Sequence, residues 1–140
     1  MKRYISIVSL LCFISFLTIG CGVEKNTDDD LVIDIVEMSE TLVGATMLNI
    51  INEPERYMGK TIRVAGTYQP FYWDEEDRYF HDLVIESQAG CCPKILEFIL
   101  NDEDYPMVGT MIELVGIYSS YELNGQVFNY LAVETIKSLF

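Results

Sequence analysis

The sequence predicts a mainly β fold: a small five-stranded barrel preceded by one N-terminal helix, after a signal peptide and a flexible tether. Three observations lead there. After Gly59 the apolar residues change from a helical period to a period of two, and they keep it through five segments. The first and fourth segments carry an internal glycine, Gly66 and Gly116; glycines inside strands mark the bulges and bends that a small barrel needs at its corners. Before Gly59 only one stretch, residues 41–52, repeats its apolar positions at helical spacing.

The elements follow in chain order. Met1-Lys2-Arg3 is basic, residues 4–19 are almost wholly apolar, and Gly20 precedes Cys21. A basic start, a short apolar run and a small residue before the cut make a secretory signal; the run is also short for a bilayer crossing, which takes about 20 residues. Leu17-Thr18-Ile19-Gly20-Cys21 resembles the lipobox of bacterial lipoproteins. That resemblance implies cleavage after residue 20 and acylation of Cys21, with a lipid anchor on the extracytoplasmic face of the cell membrane. Thr18 is a less usual residue three before the cysteine. Residues 21–38 then read as the lipid-anchored tether, whose first part is small, polar and charged with no apolar period. Residues 31–36 alternate apolar and acidic side chains and suit a short edge strand or a plain extended segment.

The folded domain is expected over 39–140. In the helix over 41–52, Ser39 or Thr41 can cap the free N–H groups of the first turn. Ala45, Leu48 and Ile51 form one apolar stripe, flanked by Met47 and Ile50. Pro54 suits the start of a further short turn, and Gly59 stops it in a left-handed conformation. The first strand starts near Thr61 and runs on towards Trp73; Asp74-Glu75-Glu76-Asp77 is too charged for a core and reads as a hairpin tip. Residues 79–86 return as the second strand, 95–100 form a third, 111–118 a fourth and 127–136 a fifth. Asn124-Gly125 is a strong two-residue hairpin signal between the last two. Five strands of this kind match the OB-fold, a partly open Greek-key barrel. That fold often has a helix between strands three and four. Here only residues 101–109 are available, interrupted by Pro106, so the helix before the first strand is expected to cover that barrel end.

Charge bounds the partners. The chain has 140 residues and a net charge of −13; Lys2 and Arg3 leave with the leader, which takes the mature charge to −15. Nucleic-acid binding draws on Lys and Arg that neutralise phosphates, so nucleic acid is excluded as the expected partner. The same charge disfavours anionic lipid, leaving the lipid on Cys21 as the membrane contact.

One segment carries a further resemblance. Pro54-Glu55-Arg56-Tyr57-Met58-Gly59-Lys60-Thr61-Ile62-Arg63-Val64-Ala65-Gly66, then Cys91-Cys92, Leu96-Glu97-Phe98, Tyr105-Pro106 and Val115-Gly116, is similar to a group of uncharacterised OB-fold lipoproteins of Gram-positive, clostridium-like bacteria. Domains with such a paired cysteine also occur in a permease-associated family. Some members of the group carry a cysteine late in the last strand, where this chain has Asn129. The resemblance covers residues 39–137 and implies fold and location, not an activity.

Candidate sites remain plural. Cys12 leaves with the leader, and Cys91 and Cys92 are neighbours, so no long-range disulfide joins them. Both thiolates could ligate zinc or copper(I), with His81 and an acid such as Asp82 or Glu97 completing the shell; the established zinc spacings are absent. They could form a strained vicinal disulfide that acts as a redox switch, or pack as small apolar groups. His81, the sole histidine, is a ligand, a pH-sensitive group or a hydrogen-bonded structural residue. Residues 74–77, 28–30 and 102–104 are acidic but lack the spaced ligands and glycine of a calcium loop, and read as solvated. Tyr68, Phe71, Tyr72, Trp73, Tyr79 and Phe80 make an aromatic hairpin that either builds the core or stacks on carbohydrate, peptide or protein; Trp73, Tyr72 and Tyr79 are the binding candidates. With no activated nucleophile or motif-held carboxylate pair, the expected function is a non-enzymatic binding or accessory module for an envelope or transporter protein, with metal handling or thiol redox at Cys91-Cys92 as the alternative.

Overall fold

The computed structural model describes residues 32–86 and 92–139. The leader, Cys21, most of the tether and Cys91 lie outside the described residues. The order is β1 (Ile33–Asp34), α1 (Glu40–Asn52), a 3-10 turn (Pro54–Arg56), β2 (Thr61–Trp73), β3 (Arg78–Ile85), β4 (Lys94–Ile99), β5 (Met111–Leu123) and β6 (Gln126–Ser138).

Strands β2 to β6 form the predicted five-stranded barrel. The neighbour order is β2-β3-β4-β6-β5, and β5 pairs back onto β2 to close it. β4 and β6 run parallel, whereas the other barrel pairs are antiparallel. This is the OB arrangement expected from the strand count. Ile62, Val64, Tyr68, Leu83, Phe98, Ile112, Leu114 and Leu131 point inward and are buried, as a period of two requires.

Gly66 and Gly116 serve the closure. A Cβ on Gly66 would lie 2.5 Å from the Val84 carbonyl oxygen, and one on Gly116 would lie 2.3 Å from that of Ala132. Gly116 also sits at the register shift of the β5–β6 ladder. Neighbouring backbone passes where a side chain would stand. Asn124 and Gly125 have φ of 52° and 81°, the double left-handed geometry of a two-residue hairpin turn. β5 and β6 run beyond the strand limits read from sequence, so this hairpin projects past the barrel wall.

The helix differs in its buried face. Val43, Met47 and Ile50 face the barrel, with Met47 and Ile50 fully buried, whereas Ala45, Leu48 and Ile51 are exposed. Both stripes are apolar in sequence, and docking on the barrel selects one. Ser39 holds the N-cap position but makes no side-chain capping bond. The folded unit also starts before residue 39, within the expected tether. Ile33 and Asp34 pair in parallel with Ile62 and Arg63, and Ile35 is buried in the barrel core. Arg63 secures this segment, with Asp34 at 2.8 Å on one side and Glu113 of β5 at 3.0 Å on the other. Among the described residues no helix is long and apolar enough to cross a membrane.

Candidate functional site

The β2–β3 hairpin extends past the barrel, and its two faces do different work. Alternation puts Phe71, Trp73, Phe80 and Asp82 on the outer face and Pro70, Tyr72, Tyr79 and His81 on the inner one. The outer face continues across β4 through Ile95 and Glu97, because Asp82 pairs with Glu97, and reaches β6 through the parallel β4–β6 ladder. These strands curve around a cleft of about 290 Å³ lined by Phe71, Trp73, Phe80, Asp82, Ile95, Glu97, Phe128 and Asn129.

Rings make its walls. Trp73, Phe80 and Phe128 form a triangle with centroid separations of 5.6–6.3 Å. Tyr121 stacks on Phe128 at 5.5 Å. The Trp73 indole N–H donates to Glu75 at 3.1 Å, which orients that ring. The tips of the two hairpins are linked as well, by Asn124 Nδ2 donating to Glu76 at 2.7 Å.

Two carboxylates meet the cleft. Glu97 is only 8% exposed. The Tyr121 hydroxyl lies 2.9 Å from each of its oxygens, and Arg78 stands 3.4 Å away. Arg78 also donates to the Tyr121 oxygen and lies over the Phe80 ring at 4.3 Å and the Tyr121 ring at 5.2 Å. Burial pushes the Glu97 carboxyl above its ordinary value; Tyr121 and Arg78 oppose the rise, and the Asp82 charge adds to it. Asp82 is also raised, by burial alone. Among the described residues its carboxylate accepts no hydrogen bond and has no cation within ion-pair distance. Burial and the bond to Glu97 push the Tyr121 hydroxyl well up, so it stays protonated and donates.

The sequence candidates separate. Trp73 lines the cleft. Tyr72, its neighbour in the chain, faces the other side, where it packs on Tyr79 at 4.9 Å and donates to Asp77. Tyr79 and His81 line a second depression with Arg78, Glu97, Ile99, Glu103 and Tyr105. His81 itself is held: Tyr105 stacks on it at 3.5 Å, and Nδ1 shares a 2.8 Å hydrogen bond with the Tyr68 hydroxyl. Burial lowers its pKa, and nearby Arg78 lowers it further. Cys92 is exposed. It precedes Lys94, which pairs with Ile85 at the far end of β3. At about 3.3 Å per residue, roughly 13 Å of strand lie between Ile85 and His81. His81 therefore does not complete a shell with Cys92. Among the described residues no group of three His, Cys, Asp or Glu side chains could hold a metal.

Phe128, Ile95 and Asn129 were not among the sequence-level binding candidates; alternation with buried Leu131 and Leu96 marks Phe128 and Ile95 as outward, whereas Asn129 shares the register of Leu131 and only the structure places it at the cleft. No protein-family model matches the chain, and no curated protein matches it.

Proposed function

We propose that this chain is an extracytoplasmic lipoprotein, held to the cell membrane by lipid on Cys21, whose barrel is a non-enzymatic binding module serving an envelope or transporter protein. The observation that carries the binding role is the ring-walled cleft on the outer face, framed by two linked hairpin tips. Concave, mostly apolar sites with a few convergent polar groups are the usual form of a ligand pocket. The anchor rests on the leader and on Gly20-Cys21.

Each half has its own test. The expected effect of Cys21→Ala is loss of labelled palmitate and release from the membrane fraction; retention of both overturns the anchor. Trp73 is the sole tryptophan, so its fluorescence reports on the cleft directly. Saturable quenching or a spectral shift with one class of glycan, peptide or amine supports the module, and no response to any class overturns it. The exposure of Cys92 favours a second reading, metal handling or thiol redox at Cys91-Cys92, acting without His81.

A further inference from the structure

We propose that the outer-face cleft is a site for an alkylammonium group, its methylenes or methyls against Trp73 and Phe128 and its charge at Asp82. The inference rests on the binding-module reading and names the ligand chemistry of that cleft.

Charge selects the sign. Asp82 and Glu97 stand directly opposite each other on β3 and β4, an arrangement that is unfavourable for like charges. Glu97 has its compensation in Tyr121 and Arg78. Asp82 has none among the described residues. One negative charge is therefore left facing the cleft, and a single cation there relieves the repulsion. An anion would meet two carboxylates. The chain as a whole carries −13, and such a field steers cations towards it.

Shape and surface select an organic cation over a metal ion. Aromatic faces attract alkylammonium and guanidinium groups, tryptophan most strongly. The cleft is lined by the rings of Phe71, Trp73 and Phe128, with too few oxygen ligands for calcium. This surface already uses the combination once: Arg78 lies 4.3 Å over Phe80 with Glu97 beside it. About 290 Å³ suits one alkylammonium head with its first methylenes.

The test titrates full-length protein in detergent and reads Trp73 fluorescence. Choline is compared with its uncharged isostere 3,3-dimethylbutanol, and a blocked lysine tripeptide with its norleucine counterpart. The expected result is saturable binding of the cations, at least tenfold tighter than the neutral partners. Asp82→Asn is expected to erase that preference, while Tyr72→Phe, on the opposite face, leaves it intact. A tripeptide that outcompetes choline assigns the site to a lysine side chain, and the reverse assigns it to a quaternary ammonium group. Equal binding of cations and neutral isosteres, or a preference that survives Asp82→Asn, overturns the inference and leaves the module standing. No fluorescence response to these cations or isosteres overturns the inference, and silence across the glycans and peptides as well overturns the cleft as a site.

Discussion

Asp82→Asn is expected to stabilise the domain at neutral pH, although Asp82 lies in the cleft. The carboxyl sits opposite Glu97 in the β3–β4 ladder, and burial raises the pKa of both groups. Cross-strand pairs are worth about 0.2–1 kcal/mol and like charges directly opposite are unfavourable on that scale; a pair with one member largely buried belongs in its upper half, so the gain is about 0.5–1 kcal/mol. For a domain of this size that is roughly 2–8 °C in Tm. The sign with pH follows from linkage. A carboxyl with a raised folded pKa holds its proton in the native state at pH values where the unfolded chain has lost it. Its contribution is full below the unfolded value near 4 and is lost as pH rises through the folded one. The advantage of the Asn variant is thus largest at pH 7 and vanishes near pH 4. Urea unfolding of both proteins at the two pH values, with matched salt, measures it. A destabilised variant at pH 7, or a difference that does not change with pH, refutes the reasoning.

Three more predictions follow from the geometry. Tyr121→Phe removes the hydroxyl that serves both Glu97 oxygens and leaves a buried carboxylate with Arg78 alone; the expected loss is about 1.5–3 kcal/mol by urea midpoint, with a further upward shift of the Glu97 carboxyl by NMR titration. Gly116→Ala drives a methyl to 2.3 Å from the Ala132 oxygen and 2.9 Å from Val133 Cα, both backbone; a cost of about 3 kcal/mol is expected, read as a lower midpoint with an unchanged slope. Reduced full-length protein, titrated with zinc and copper(I) beside a Cys91→Ser/Cys92→Ser control, decides the thiol reading. If that reading holds, binding is stoichiometric, is lost in the control and is unaffected by His81→Gln, since His81 lies far along β3 from Cys92.

What the sequence determined by itself is local. The acidic hairpin tip, the Asn124-Gly125 turn and the period-two strands need only neighbours in the chain, and these segments appear in the structure. Gly66 and Gly116 pointed to bulges or bends at the barrel corners for the same reason; the structure adds the neighbouring backbone that leaves no room for a Cβ. Tertiary contacts decided the rest. Residues 41–52 carry two apolar stripes, and only docking on the barrel buries Met47 and Ile50 instead of Leu48 and Ile51. Ile33 and Asp34 become a strand because β2 offers them an edge, and Ile35 then finds the core. The cleft is the least local feature. Its walls come from β2, β3, β4 and β6, and Phe128 of β6 packs against Trp73 of β2 and Phe80 of β3. Alternation could have separated Trp73 from Tyr72 by face, but which face curves into a concave surface depends on how the barrel closes.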